Sequence, residues 1–206
     1  LSNSLLRLAA GRASISRLEQ SLLRNFRKYA HAQSTPRVES IWHWLALGQH
    51  HGLPTRLIDW TYSPFVALHF VTEHPEDYGV DGIVHCVNFV EANTLLPRRL
   101  KAILEEEQSD TFTVDMLESF RSLKALDQLA REPFVLFIEP PSLDARILNQ
   151  FALFSLMPDA SAHMNAWLDA HPHLHRRIVI PASLKWEIRD KLDQANINER
   201  TLFPGL

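Results

Sequence analysis

The sequence predicts an α+β fold. Segments with helical and strand patterns alternate irregularly along the chain, without the regular strand–helix–strand repeat of a doubly wound parallel sheet. The 206 residues, of which 46% are hydrophobic and 22% charged, have the composition of an ordinary globular protein. A chain of this length buries enough apolar surface for a full core. We expect one domain over residues 1–206, with a helical N-terminal part packed on a mixed or antiparallel sheet.

The first two predicted elements are helices. Ser16 and Glu19 have the spacing of a capping box. Apolar residues follow at helical spacing: Leu18, Leu22, Phe26 and Tyr29. This pattern predicts a helix with one buried stripe, which residues 31–36 interrupt. A second helix is predicted from Ile41 and should end at Gly52.

A polar loop is predicted next, over residues 49–60. It reads Gln-His-His-Gly-Leu-Pro-Thr-Arg-Leu-Ile-Asp-Trp, which concentrates imidazoles, a guanidinium and a carboxylate in one place. Ser63 is suited to cap the N-terminus of a following helix, with Pro64 at its first position. Residues 65–71 are apolar nearly all round, so we expect this helix to be central in the fold.

The rest of the chain mixes strands and helices. Strands rich in Val, Ile and Phe are predicted at residues 82–90, 134–139, 151–157 and 177–180. Helices are predicted at residues 95–129, 142–150, 162–170 and 184–195. This irregular order is the observation that favours an α+β fold over a parallel α/β sheet.

The charge and the cysteine content limit the classes of function that the protein can have. The 21 Lys and Arg nearly balance the 24 Asp and Glu, for a net charge of −3. This balance argues against electrostatic binding of DNA or a membrane by the whole chain, but it leaves a local basic patch open. The single cysteine, Cys86, has no partner for an intrachain disulfide, which favours a reducing, cytoplasmic location. No apolar stretch reaches the length of a membrane span.

The polar loop contains the first candidate site, formed by His50, His51, Arg56 and Asp59. The helix N-terminus at Ser63 presents unpaired N–H groups, and the Arg56 guanidinium adds a bidentate fork, so together they suit a phosphate or carboxylate. A structural role is the alternative: Arg56 and Asp59 would pair with each other and hold the loop in place. Spacing alone leaves both interpretations open.

Histidines give a second, weaker candidate. His171, His173 and His175 share one face if the segment is extended, which is the spacing of a metal site. However, Pro172 interrupts the segment, and the cationic residues Arg176 and Arg177 follow it. The adjacent pair His50 and His51 is also poorly placed to share one ion. We therefore predict no metal site.

Two further groups have both a binding and a structural interpretation. Arg146 and Gln150 are four residues apart and share a helix face, so Gln150 either binds a ligand or caps its own helix. Trp42, Trp44 and Trp60 either stack on a base or pack in the core. The sequence contains no Walker loop, no Gly-x-Gly-x-x-Gly and no Gly-x-Ser-x-Gly, so kinase, Rossmann and α/β-hydrolase functions are excluded.

Residues 44–61 carry a family resemblance. They read Trp-Leu-Ala-Leu-Gly-Gln-His-His-Gly-Leu-Pro-Thr-Arg-Leu-Ile-Asp-Trp-Thr, followed by Ser-Pro and then Ala-Leu, and closely resemble the central signature of the FRG domain family. Three shorter pieces agree in order: Asn3-Ser4-Leu5-Leu6-Arg7, Arg146-Ile147 with Gln150 and Phe154, and residues 202–206. The family's Phe/Tyr-Arg-Gly triplet is expected upstream of Leu1, which would make this FRG-like domain N-terminally incomplete. Ala152 stands where the resemblance leads us to expect glycine.

The resemblance implies a function by analogy with ADP-ribosyltransferases. The fold would be ADP-ribosyltransferase-like, and NAD would be the substrate, with no cofactor required. The implied catalytic residues are Gln150 and His51. The implied nucleotide-binding residues are Arg56, His50, Asp59, Trp60 and Arg146. Because glutamine is not a carboxylate base, such a reaction would depend on positioning and charge stabilisation.

The resemblance also bears on partners and context. An ADP-ribosyl transfer would need a protein or nucleic-acid acceptor, and it fits a toxin or bacterial defence effector. The alternative is a non-catalytic nucleotide-sensing or protein-interaction domain of a larger protein. Under either interpretation, we expect the partners to be a nucleotide ligand or other domains of the same protein. We expect no binding to a membrane.

Overall fold

The computed structural model describes residues 1–9, 14–30 and 40–204. Over these ranges the helices are α1 (Ser4–Leu8), α2 (Ile15–Ala30), α3 (Ile41–His50), α4 (Pro64–Val71), α5 (Phe89–Ala92), α6 (Arg98–Glu107), α7 (Leu123–Asp127), α8 (Ala145–Asn149), α9 (Met164–Ala170), α10 (Lys185–Gln194) and α11 (Glu199–Leu202). The strands are β1 (Ile58–Thr61), β2 (Gly82–Val87), β3 (Phe112–Thr113), β4 (Leu136–Glu139), β5 (Ala152–Leu156) and β6 (His175–Ile180). Within these ranges, no helix is both long enough and apolar enough to cross a membrane.

The strands form two sheets. Four of them make a mixed sheet in the order β1–β5–β4–β3, in which only the β3–β4 pair is parallel. Asp59 on β1 lies opposite Phe154 on β5. Strands β2 and β6 form a separate antiparallel pair, with Gly82 opposite Ile180. The predicted α+β class is confirmed, and the main sheet is of the mixed type.

Apolar layers cover both faces of the four-stranded sheet. Successive side chains of a strand point to opposite faces, so each strand contributes to both layers. The larger layer contains Leu136, Ile138, Phe154 and Leu156 from the sheet with Trp42, Trp44, Leu45 and Phe120. The second layer contains Val135, Phe137 and Leu153 with Trp167 and Leu168. The core is therefore built around the sheet, with helices packed on either side.

Helix α3 is fixed at both of its ends. The indole N–H of Trp42 donates to the buried backbone carbonyl of Phe120 at 2.9 Å. At the C-terminal end, Gly52 has φ +77°, and the Leu53 N–H donates to the Gly48 carbonyl at 2.8 Å, which is the geometry of a Schellman motif. The predicted helix end at Gly52 is confirmed, and this turn brings the chain back toward the start of β1.

Several local predictions are wrong. The capping box at Ser16 does not form, because α2 begins at Ile15 and the Glu19 carboxylate points inward to Arg56. Residues 95–129 are not one helical segment: α6 stops where Gln108 takes a left-handed φ of +50°, and β3 follows. The predicted interruption at residues 31–36 lies outside the described residues.

The prediction for residues 49–71 also needs correction. The segment predicted as a loop contains an edge strand, β1, because Ile58 to Thr61 pair with β5. Helix α4 is not buried on all sides, since Phe65 and Phe70 are 55% and 41% exposed. Part of its apolar surface lines a cavity instead of packing in the core, and this cavity is the candidate site.

Candidate functional site

A cavity of about 600 Å³ lies where β1, α4, β2 and α8 meet. Its polar lining comes from Gln49, His50, Asp59, Thr61, His85, Arg146 and Gln150. Its apolar lining includes Trp60, Phe70, Val71, Ile83 and Phe154. Residues that are far apart in the sequence therefore converge on one concavity, which is the arrangement expected of a ligand site.

Asp59 is the carboxylate of this cavity. It is carried by the edge strand β1, and its Oδ2 accepts a hydrogen bond from the Gln49 side chain at 2.8 Å. The Gln49 carbonyl oxygen in turn accepts from the Thr55 hydroxyl at 2.6 Å, so the amide orientation is fixed by two partners. Asp59 is exposed to solvent, yet desolvation by the surrounding cavity wall raises the pKa of its carboxyl, and the Gln49 hydrogen bond and the charge of Arg146 oppose this shift only in part.

Arg146 is the guanidinium that lines the cavity. It lies on α8, with its guanidinium carbon 4.8 Å from the ring centre of Phe203. Among the described residues no carboxylate forms an ion pair with it, and Asp59 acts on it only across the cavity. Its N–H groups are therefore available to an anionic ligand.

Gln150 is held by its surroundings at the wall of the cavity. Its backbone caps the C-terminus of α8, and its side-chain N–H donates to the Leu202 carbonyl at 3.0 Å. Its own backbone carbonyl accepts from the Thr61 hydroxyl at 2.7 Å. The next residue, Phe151, takes φ +48°, which turns the chain from α8 into β5. Gln150 thus ties together α8, β1 and the C-terminal helix.

The two adjacent histidines diverge. His50 lines the cavity and lies 2.8 Å from the carboxylate of Asp144, which also caps the N-terminus of α8. His51 is exposed and contributes nothing to the cavity lining; its ring packs against those of His50 and Phe26. Adjacent residues at the end of a helix point in different directions, so only His50 is placed to meet a ligand in this cavity.

Arg56 does not belong to the cavity, contrary to its predicted ligand role. It is 3% exposed, and its guanidinium is bound by Glu19 at 2.6 Å and by Asp127 at 2.5 Å. It also donates to the backbone carbonyl of Pro158 at 2.5 Å. Burial alone would lower the pKa of Arg56, but these two carboxylates raise it above its ordinary value. The predicted Arg56–Asp59 pair is likewise wrong, because Glu19 and Asp127 take that place.

The tryptophans separate into core and site. Trp42 and Trp44 are buried in the larger apolar layer, so for them the packing interpretation holds. Trp60 lines the cavity, but its indole N–H donates to Ser155 at 2.8 Å and its ring packs edge-on against Phe137. The fixed ring of Trp60 forms part of the wall.

The helix N-terminus at Ser63 does not supply an anion site here. The Ser63 hydroxyl caps α4 by accepting from the Val66 N–H. The α4 residues that line the cavity are Ala67 in the middle of the helix and Phe70 and Val71 at its C-terminal end. The predicted alignment of this helix dipole with the site is therefore wrong.

Sequence reasoning missed three polar residues of the cavity, Gln49, Thr61 and His85. The Nδ1 of His85 is buried without a hydrogen-bond partner in the described ranges, and its ring stacks on that of His175 at 5.7 Å. Burial lowers the pKa of His85. His85 lies in a strand of mostly apolar residues. The local sequence shows neither that this side chain faces a cavity nor that His175 of β6 stacks on its ring.

Potential metal ligands lie elsewhere. In the described part of the chain, the group of three with ligand atoms within 4.8 Å of one another is His43, Asp115 and Glu118, at the surface. The weaker candidate at His171, His173 and His175 is not such a group in the described part of the chain. None of these residues lines the cavity.

Comparison with known proteins gives one match. No curated protein and no solved structure is significantly similar to the chain. A family model described as FRG domain matches residues 1–79, a range that contains Gln49, Asp59 and Trp60 and stops before Arg146 and Gln150. The N-terminal part of this chain, over residues 1–79, therefore carries an FRG domain.

Proposed function

We propose that the cavity binds a nucleotide, with NAD as the first candidate. The observation that carries the proposal is the convergence of Asp59 and Arg146 on one cavity beside the amides of Gln49 and Gln150. Its volume of about 600 Å³ is within the range of small-molecule sites.

Each part of a nucleotide has a chemical counterpart in the lining. The Arg146 guanidinium suits a phosphate, for which it offers two parallel N–H donors. The Asp59 carboxylate suits ribose hydroxyls, which donate hydrogen bonds. Phe70, Val71 and Phe154 offer apolar surface to a base or a nicotinamide ring. The lining thus combines one cation, one anion and an apolar wall.

Transfer of ADP-ribose from NAD is the second candidate, favoured by the carboxylate of Asp59. In that reaction the bond between the ribose carbon and the nicotinamide nitrogen breaks, and nicotinamide leaves with the electron pair. An acceptor nucleophile then bonds to the ribose carbon and loses its proton. A carboxylate beside the sugar stabilises the positive charge that develops on it. Gln150 would position the ligand through its amide oxygen. His51 has no role in this proposal, because it does not line the cavity.

The biological role depends on which candidate holds. Transfer to a protein or a nucleic acid is the reaction of a toxin or defence effector. Nucleotide binding without turnover suits a sensing domain within a larger protein. Nicotinamide release separates the two.

Calorimetry with NAD, ADP-ribose and AMP tests the binding proposal. We expect binding in the submillimolar range and a loss of roughly 10-fold or more in Arg146→Ala, since a charged hydrogen bond contributes about 1.5–3 kcal/mol. Arg176→Ala is the matched control, because Arg176 is exposed on β6 and does not line the cavity. Absence of binding by all three nucleotides at millimolar concentration would overturn the proposal.

Chromatographic detection of nicotinamide tests the transfer candidate. Asp59→Asn should keep NAD binding and lose nicotinamide release by about 100-fold, the scale of a removed electrostatic contact. NAD that binds to the wild-type protein without any release would rule out transfer and leave the sensing role.

A further inference from the structure

A second concavity carries a strong positive charge. It has a volume of about 500 Å³ and lies between the C-terminal half of α2 and the start of α7. Five cationic side chains line it: Arg24, Arg27, Lys28, Arg121 and Lys124. We call these five residues the basic groove. Among residues 1–9, 14–30 and 40–204, no acidic residue lines it, and none of its lining residues is shared with the cavity of the proposed function.

The neighbouring carboxylates do not neutralise the basic groove. The acidic residue of α2 is Glu19, and that of α7 is Asp127; both bind the buried guanidinium of Arg56. Among the described residues, none of the five cations forms an ion pair. The fold therefore turns the acids of these two helices inward and leaves their cations facing the groove.

Helix capping does not explain this cluster. Arg27 and Lys28 lie in the last turn of α2, where cations offset the negative end of the helix dipole. Arg121 precedes the N-terminus of α7, where a helix dipole gives a positive charge no support, and α7 itself has only five residues. Clustering cations there costs stability unless a ligand offsets their repulsion.

Aromatic contacts accompany the cations. The Arg27 guanidinium lies 5.7 Å from the ring centre of the buried Trp44, which restrains it at the groove wall. Tyr29, next to Lys28 on α2, is 72% exposed, and the Lys28 ammonium lies 5.4 Å from its ring centre. Tyr29 is not one of the residues that line the groove, so its ring is placed to stack on a base of a strand that runs past Lys28 and out of the groove.

We propose that the basic groove binds the phosphate backbone of a single-stranded nucleic acid, with Tyr29 stacking on a base. The near balance of charge over the whole chain is compatible with this, because the five cations are concentrated at one place. Apolar side chains at the floor, Leu23, Ile41 and Leu123, add surface for a sugar or base edge. This proposal is independent of nucleotide binding in the cavity.

Fluorescence anisotropy with a fluorescein-labelled 12-nucleotide uridine RNA tests it. If all five cations meet phosphates, raising the salt from 50 to 200 mM should weaken binding by roughly 100-fold, because each released counterion adds to the salt dependence. The variant Arg24→Gln, Arg121→Gln, Lys124→Gln should bind at least about 10-fold more weakly at 50 mM salt and lose more than half of that salt dependence. Tyr29→Ala should weaken binding about 5-fold or more without changing the salt dependence.

The control removes three charges elsewhere. Arg176→Gln, Lys191→Gln, Arg200→Gln gives the same net charge at exposed positions outside the groove. All six substituted side chains are exposed, so neither variant should lower the melting temperature appreciably. Equal loss of RNA binding in the two variants would overturn the proposal, as would tripolyphosphate or anionic lipid vesicles binding the groove as tightly as the RNA does.

Discussion

Replacing Arg56 by alanine should destabilise the fold by roughly 3–5 kcal/mol, the cost of breaking a buried ion pair. The magnitude follows from what the substitution leaves behind. Glu19 is 1% exposed, and it would lose its charged partner without gaining access to water. The Pro158 carbonyl would also lose its donor. For a chain of this length, such a loss lowers the melting temperature by roughly 6–20 °C.

Thermal melts followed by circular dichroism at pH 7 measure this effect. The triple variant Arg56→Met, Glu19→Leu, Asp127→Asn should recover much of the lost stability, because it removes all three charges of the cluster and leaves side chains of similar size. Asp59→Ala is the contrast, since Asp59 does not pair with Arg56, and its melting temperature should change little. A loss below about 1 kcal/mol in Arg56→Ala, the range of exposed pairs, would refute the assignment of this pair as buried and essential.

Three further predictions concern single side chains. Desolvation raises the pKa of Asp59, but the residue is also exposed to solvent, which screens the cost of its charge; Asp59→Asn should therefore raise the melting temperature at pH 7 only slightly, and this gain should vanish as the pH falls toward 4. Burial lowers the pKa of His69, so the unfolded chain takes up a proton first and stability falls as the pH drops below about 6.5. Urea titrations at pH 7.5 and 5.5 should show a smaller pH effect in His69→Gln, which keeps an acceptor for Arg189. Gly52→Ala should cost about 1 kcal/mol in a thermal melt because φ is +77°, although nothing crowds the added methyl.

Most of the elements could be predicted from local pattern. Helix α3 carries a clear apolar spacing and a glycine at its end, and residues 82–87 and 136–139 are rich in β-branched and aromatic residues. Strand β1 alternates apolar and polar residues, but a run of only four residues that continues a polar loop is a weak strand signal without its partner β5. The capping-box prediction at Ser16 fails for a related reason: the tertiary pairing of Glu19 with Arg56 overrides a local preference.

The candidate site was predictable in part. Asp59, His50, Arg146 and Gln150 were chosen by residue type, and all four line the cavity. The partner of Arg56 could not be identified, because spacing along the chain favours a residue three positions away, whereas the actual carboxylates come from α2 and α7. Long-range ion pairs depend on how helices pack, and no local rule contains that information.

Gln150 shows how a site residue can be tested against its structural role. Its side-chain N–H donates to the Leu202 carbonyl, and a carboxylate at this position would face that oxygen as a second acceptor. Gln150→Glu should therefore cost about 1–3 kcal/mol, the penalty for an unsatisfied buried acceptor. In a chain of this length, each kcal/mol lowers the melting temperature by about 2–4 °C. Gln150→Met, which fills similar volume without charge, is the matched control and should cost less. If the position instead acts on the sugar of NAD, the new carboxylate should increase nicotinamide release without loss of stability, and that result would contradict the structural role. The hydrogen bond to Leu202 favours the first outcome, because the amide is already committed to the C-terminal helix.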